Sequence, residues 1–581
     1  MMWSGNSLAV RDAKGLVLLE GLPEDEPKPC DSFPSQSGSS TRVLATSMDG
    51  SKLAWAEGTA VFLTEYDGSS WSKPHSFPHQ RAARLVFSPK GSILTSYETY
   101  AIRNNQVPSA NVYLWDTKTK SETPLASYVS QGTDSWCIQW SSDESLALRK
   151  LPNSQILVFD TSDYSKKSSP KFDTKFDYLS LSPKGNNFVI FQKGGQKKES
   201  VASFAKFFTY PNLSSPVGNK SLAFADKMDS FWSASGNAVL LLSTAEVDSS
   251  SYYGKQQLYF MNSSGDSVNM RTPKEGPIYC VTWSPTKDEF IVVYGFMPAK
   301  VTLYDKSCNK IFDFGTGPRN AVHFNPQGTI ALFGGFGNIN GAIEVWDIRE
   351  KEKLASFEAP YTTDLKWSPD GKLFVTSTCA PRLRIGNGYK IWHYSGSLLY
   401  EKNYGNEEEL WEVCWKNPLK PYPVFPISKV PVKGIKSSTP VTSKQAYRPP
   451  MARNRGGSQM TAPLGEKELP ENEKGKGNEE KGGVNKSAAK NLKRREAAKK
   501  KKETISLNGG TTDSNADSTV TEQKGGDPSQ NYKKIRKLQD KLAQISQLKV
   551  LQSEGKKLET NQLEKLKKEK EFLEEIAKLQ L

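Results

Sequence analysis

The sequence predicts an all-β, WD-repeat-like β-propeller of nine blades, followed by a disordered basic linker and C-terminal α-helices. Three observations predict it. A short phrase, apolar–x–aromatic–Ser–Pro–x–Gly, returns every 41 to 53 residues. Its clear copies are Val86-Phe87-Ser88-Pro89-Lys90-Gly91, Ser182-Pro183-Lys184-Gly185, Trp283-Ser284-Pro285, Phe324-Asn325-Pro326-Gln327-Gly328 and Trp367-Ser368-Pro369-Asp370-Gly371. Looser copies stand at Ser47-Met48-Asp49-Gly50, Trp140-Ser141-Ser142-Asp143, Trp232-Ser233-Ala234-Ser235-Gly236 and Trp415-Lys416-Asn417-Pro418. Pro fixes φ at the second position of a turn and Gly accepts positive φ at its end, so each copy is a hairpin turn. The flanks alternate apolar and polar with a period of two, as strands do. An aromatic–Asp signature then follows, as in Leu114-Trp115-Asp116, Val158-Phe159-Asp160, Leu303-Tyr304-Asp305 and Val345-Trp346-Asp347. A repeat of about 40–50 residues with that ending marks a propeller blade.

The elements follow in order. Residues 7–10 and 16–20 form two strands before any repeat begins, and residues 23–41, rich in Pro and Ser, lead into the first full blade. Blades then span roughly 42–78, 81–128, 134–172, 174–222, 228–272, 277–315, 318–357 and 361–403. The ninth repeat has only residues 410–415, with 421–425 as a candidate second strand, before the composition changes. Two strands in front and a deficit behind predict that the N-terminal strands close the last blade and remove its open edge. The propeller is assigned residues 1–427. Residues 428–484 and 504–527 lose their apolar side chains and read as disordered linkers. Between them, 485–503 (NKSAAKNLKRREAAKKKKE) is a basic helix former with Leu492 as its one large apolar residue. Its affinity must come from charge, which makes Lys490, Lys493, Arg494, Arg495, Lys499, Lys500, Lys501 and Lys502 the candidate RNA contacts. A nuclear-localisation role for the last four lysines is the competing reading. Residues 528–581 carry two apolar stripes at helical spacing, with a near capping box at Asp527-Pro528-Ser529-Gln530 and a stop at Gly555. They predict an amphipathic hairpin or coiled coil. Its candidate partner contacts are Lys533, Lys534, Arg536 and Lys537 with Leu538, Leu542 and Ile545. Cations at a helix start oppose its dipole, which points to a binding role for that cluster.

The charge is divided unevenly. After Lys420 there are 34 Lys and Arg against 20 Asp and Glu, while the first 420 residues hold 44 against 43. A neutral propeller with a basic tail suits an acidic partner such as RNA or a ribosome; a merely solubilising tail is the alternative. Long loops on a rigid scaffold are where contacts concentrate. Two of them are basic, giving Lys193, Lys197, Lys198 and Arg382, Arg384, Lys390 as candidate propeller-surface contacts.

Catalytic and cofactor motifs are absent. No GxxxxGK[ST], GxSxG or HExxH is present, so no nucleotide cofactor, catalytic residue or metal site is expected. The Gly-rich run at 334–341 reads as a hairpin loop rather than a phosphate cradle, and the repeat-ending aspartates as structural. The six cysteines form no CxxC pair, and no apolar run reaches membrane length, so a reduced, cytoplasmic, membrane-free protein is expected.

With these motifs in hand, the sequence resembles the eukaryotic translation initiation factor 2A family over essentially its whole length. The most specific stretches are LFGGFGNINGAIEVWD (332–347), APRLRIGNGYKIWHYSG (380–396) and the ending from Lys533. The region 386–392 is also similar to the propeller of the b subunit of the initiation factor three complex. The resemblance implies a non-catalytic factor that binds the small ribosomal subunit. It also implies codon-dependent, GTP-independent delivery of initiator methionyl-tRNA on a subset of mRNAs. Contact with mRNA and other initiation factors, and a monomeric state, are further expectations. The alternative is a propeller scaffold for protein interactions whose tail only solubilises it or binds RNA weakly.

Overall fold

The computed structural model describes residues 6–22, 26–37, 41–101, 110–131, 137–170, 172, 175–194, 202–222, 225–245, 254–405, 408–438 and 545. The linker and tail positions proposed above, other than 428–438 and Ile545, lie outside them; Ile545 is helical and buried. The chain divides into two compact units, Met1–Pro449 and Pro450–Leu581.

The first unit is a propeller of nine antiparallel sheets. Blade 1 holds Val43–Thr46, Lys52–Ala56, Val61–Glu65 and His75–Phe77, and seven further blades repeat that four-strand order without a crossover. Blade 9 is composite. Leu410–Trp415 pairs with Asn6–Asp12, which pairs with Gly15–Leu22, so the last repeat takes its second and third strands from the start of the chain. Its outer edge comes from Lys28–Pro29 and Gln36–Ser37, inside a stretch that composition reads as loop. Residues 421–425 do not supply a strand of blade 9. They run instead to blade 8, where Phe425 stacks near Tyr394 at 5.6 Å, because the edge they would have occupied is already paired with Asn6–Asp12.

Each phrase residue has a physical task. The Ser side chain is buried and accepts a backbone N–H five residues on, closing the turn: Lys52 to Ser47 at 2.9 Å, Ile93 to Ser88 at 2.9 Å, Leu373 to Ser368 at 3.0 Å. In blade 7 Asn325 does the same for Ile330. The Trp that precedes it staples neighbouring blades. Trp283 donates its indole N–H to the Phe231 carbonyl at 2.8 Å, Trp367 to that of His323 at 3.0 Å and Trp415 to that of Lys366 at 3.0 Å. The closing Gly of the phrase has φ +71° at Gly371, and a Cβ there would stand 1.9 Å from Gln327 Oε1 of the preceding blade's turn. The repeat-ending aspartates cap the outer hairpins: Asp347 accepts the N–H groups of Arg349 and Glu350, and Asp305 those of Ser307 and Asn309. They are structural, as the repeat implies.

The core lies in the seams between blades. Ile330, Leu332, Ile343 and Val345 of blade 7 meet Leu365, Phe374 and Trp392 of blade 8. Ala9, Leu16 and Leu18 of blade 9 meet Leu53, Trp55 and Trp71 of blade 1. Second strands such as Ile330–Gly334 and Leu373–Thr378 are buried at every position, since both faces of each sheet are covered. Burying a large apolar side chain contributes about 1.5–3 kcal/mol, so closing the ring adds a full seam at no cost in exposed edge.

Candidate functional site

On the axis, the first strands of blades 6 to 9 and blade 1 surround a cavity of about 620 Å³, lined by Trp283, His323, Lys366, Trp367, Cys414 and Trp415 among others. Its lysine is already engaged. Lys366 Nζ donates to the Val413 carbonyl at 2.9 Å and pairs with Asp364 at 3.0 Å. Burial pushes the Cys414 thiol up to about 12, and burial lowers the pKa of His323. A protonated thiol and an amine held by a carboxylate make neither a nucleophile nor a general base. No group of three or more metal-ligating side chains occurs among the described residues, and no helix among them is long and apolar enough to cross a membrane.

The surface loops offer contacts rather than chemistry. The Gly-rich loop of blade 7 is a hairpin with several of its N–H groups spent internally. Gly335 donates to Ala342, Gly341 to Gly335 and Phe336 to the side chain of Asn320. A Cβ on Gly335 would stand 2.0 Å from the Pro318 carbonyl, which explains the glycine without invoking a phosphate.

In blade 8 the loop after Leu373–Thr378 is anchored by buried Asn387. Its amide donates to the carbonyls of Thr378 and Leu410 and accepts the Leu410 N–H at 2.7 Å, tying the loop to blade 9. This anchor holds the tip, 381–386, out into solvent, with Ile385 68 % exposed. Arg382 stands exposed and donates to the Thr363 carbonyl, while Arg384 pairs with Glu409 at 2.6 Å. Lys390 is placed differently. It lies inside the strand Gly388–His393, its side chain mostly buried, in an ion pair with Glu401 at 3.1 Å. Lys193 caps a strand of blade 4 and pairs with Asp226 at 3.0 Å; Lys197 and Lys198 lie outside the described residues. The structure thus brings Arg382 and Arg384 together on one loop, sets Lys390 apart within the sheet of the same blade, and places Lys193 four blades away on blade 4.

His79 belongs to a buried network in blade 2. Its Nδ1 and Ser96 Oγ share a hydrogen bond at 2.7 Å, and the Trp115 indole donates to the same hydroxyl at 2.8 Å. Burial holds the His79 imidazole down to about 4. The Trp115-Asp116 signature was the available clue, since a buried indole N–H needs an acceptor.

Comparison with known proteins places the chain. The profile of the family described as "Eukaryotic translation initiation factor eIF2A" matches residues 220–413. Similar relatives are the eukaryotic translation initiation factor 2A of Drosophila melanogaster and that of Caenorhabditis elegans. The first is 34 % identical, over 99 % of this chain and 98 % of its own. The second is 32 % identical, over 98 % of each chain. A solved structure, "Crystal structure of the eukaryotic initiation factor", is 27 % identical with a TM-score of 0.64, covering 73 % of this chain and all of that one. The chain therefore belongs to the eukaryotic translation initiation factor 2A family, a family of non-catalytic initiation factors.

Proposed function

We propose that this chain binds the small ribosomal subunit and directs initiator methionyl-tRNA to it, in a codon-dependent and GTP-independent way, on a subset of mRNAs in the cytoplasm. The observation that carries the reading is the full-length likeness to initiation factors, basic tail included. The division of charge supports it: a propeller with 44 cations and 43 anions before residue 421 is electrically neutral, and the tail holds the surplus. In this reading Lys490, Lys493, Arg494, Arg495 and Lys499 to Lys502 grip phosphates. Lys533, Lys534, Arg536, Lys537, Leu538, Leu542 and Ile545 dock on a partner, and Arg382 and Arg384 add contacts from the propeller.

Sedimentation with purified small subunits and initiator tRNA at several salt concentrations tests it, using the full chain and a chain ending at Pro449. Phosphate contacts release counterions, so binding of the full chain should fall with a log–log slope near −0.7 per contact on single strands and −0.9 on duplex. Neutralising the eight basic tail residues should flatten that slope and weaken all RNAs about equally. If the full and shortened chains bind alike, with no salt slope, the scaffold reading replaces this one.

A further inference from the structure

Residues 428–438 fall in the stretch that composition assigns to a linker, yet they lie as a strap along the outer edge of blade 8. The Ile435 N–H donates to the carbonyl of Leu398, in the outermost strand Leu398–Asn403. Upstream, Ser397 donates to the Val432 carbonyl at 2.7 Å, Ser428 N–H to the Tyr394 hydroxyl at 2.9 Å, and Lys429 pairs with Glu352 of blade 7. Phe425 and Ile427 pack on the seam between blades 7 and 8. Beyond Ile427 the strap is exposed throughout, so polar bonds rather than burial hold it.

Its last turn is fastened at one carboxylate. Glu401, whose side chain is 5 % exposed, accepts from Ser437 Oγ at 3.1 Å, from Ser438 Oγ at 3.0 Å and from the Ser438 N–H at 2.7 Å. Lys390 balances its charge at 3.1 Å and donates to Ser437 Oγ at 2.9 Å, and Asn403 donates to Ser438 Oγ at 2.9 Å. The clasp pairs one carboxylate with one ammonium and is electrically neutral. Both serines are nevertheless exposed, on an extended segment that carries Lys429, Lys433 and Lys436 just upstream.

We infer that Ser437 and Ser438 are phosphorylation sites whose modification releases the strap from blade 8. A basic-residue-directed protein kinase would supply the catalyst and ATP the phosphoryl group. The serine oxygen bonds to the γ-phosphorus, the bond from that phosphorus to the bridging oxygen of ADP breaks, and the hydroxyl proton passes to the kinase's base. The product places nearly two negative charges, in place of a donor, against the Glu401 carboxylate. Like charges at that distance repel, and the hydrogen bonds that the hydroxyls donated are gone. Release frees the segment that joins the propeller to the tail and opens the outer edge of Leu398–Asn403.

The test uses the full chain, incubated with ATP and such a kinase, then mapped for phosphopeptides and exposed briefly to trypsin. Phosphate on Ser437 or Ser438 should speed cleavage after Lys433 about tenfold, the response of a local opening made easier by a like-charge contact. The S437A/S438A chain should take up no phosphate there and keep the slow rate, and S437D/S438D should be fast without kinase. Glu401→Gln keeps an acceptor and removes the repelling charge, so in that background phosphorylation should change the rate much less. Failure of the kinase to modify either serine in the folded chain overturns the proposal. So does an unchanged cleavage rate in the phosphorylated chain.

Discussion

Blades 3 and 8 solve the same problem with different chemistry. Both turns begin with Trp-Ser, at Trp140-Ser141 and Trp367-Ser368, and in both the hydroxyl donates to an Asp two residues on, at 2.6 and 2.5 Å, and accepts an N–H five residues on. They part at the fourth position after the Trp. Blade 8 has Gly371 at φ +71°, hard against the turn of blade 7. Blade 3 has Glu144 at φ +55°, and that side chain reaches blade 2, where it accepts the Lys90 N–H at 2.6 Å and the Ser92 hydroxyl. Where the preceding turn fills the space only glycine fits; where space remains, a carboxylate makes the contact that close packing makes elsewhere. Blade 3 also has the shorter edge strands, two residues each at Gln139–Trp140 and Lys167–Ser168, against four and six in blade 8. A degenerate repeat is thus a seam held by side chains more than by backbone.

The largest effect should come from removing what both blades depend on, the closed ring. Deleting residues 1–22 takes two strands from blade 9, and with them Leu8, Val10, Leu16 and Leu18 from two seams. At about 1.5–3 kcal/mol for each large apolar side chain, the loss is on the order of 10 kcal/mol. Cooperative melting followed by calorimetry should disappear or fall by more than ~10 °C. Melting unchanged from the full chain would mean that the ring does not depend on that closure.

Next in size are the staples. Trp367→Phe keeps a ring in the seam but strands the His323 carbonyl, a loss of about 1–2 kcal/mol in urea denaturation. Blade 7, with Phe324 at that position, shows that the fold accepts the residue once its neighbours suit it. Trp140 packs edge-on against Tyr164 at 5.7 Å, so Trp140→Phe should cost less than Trp367→Phe. The reverse order would mean that the indole bond is not what joins blades 7 and 8.

Acid should weaken the side of the ring on which blade 3 leans. Burial holds His79 at about 4 despite the Glu98 carboxylate 3.8 Å from its Nε2. The unfolded chain, with an ordinary value near ~6.5, therefore takes up the proton first as pH falls. The stabilisation is complete above pH ~6.5 and is lost as pH drops toward 4, amounting to about 2 kcal/mol by pH ~5. His79→Gln should be less stable at pH 7 yet show a flatter decline between pH 7 and 5. An equally steep decline in that variant would assign the acid sensitivity to other groups, His393 first among them.

Much of the fold was legible because its signals are local. The phrase sets a turn through the φ of its Pro and Gly and the side chain of its Ser or Asn, and its nine copies, strict or loose, give nine blades. What the residues hid depends on partners far along the chain. Lys28–Pro29 and Gln36–Ser37 are too short to show a period and exist only because Gly15–Leu22 offers an edge. The strap at 428–438 is poor in apolar residues and is held by Ser397, Glu401 and Asn403, none of which its own composition reveals. Lys390 could have been placed correctly: Tyr389-Lys390-Ile391-Trp392 sits within a strand, and a lysine there can face a carboxylate on the next strand, here Glu401.

The smallest effect is the most discriminating for the comparison of blades 3 and 8. Glu144 occupies a left-handed backbone that disfavours any side chain by roughly 1 kcal/mol. Its two bonds to blade 2 return more than that, since hydrogen bonds to a charged group contribute about 1.5–3 kcal/mol. Glu144→Ala keeps the strain and loses the bridge, so it should destabilise by about 2 kcal/mol. Glu144→Gly relieves the strain while losing the bridge, and its net loss should be about 1 kcal/mol or less. Glu144→Gln can still accept from Lys90 and should fall close to the parent chain. The order Ala, Gly, Gln in denaturation midpoints would establish that blade 3 is joined to blade 2 through this carboxylate. A Glu144→Gly chain more stable than the parent would show instead that the turn of blade 3 wants what blade 8 has, and that its glutamate is only tolerated.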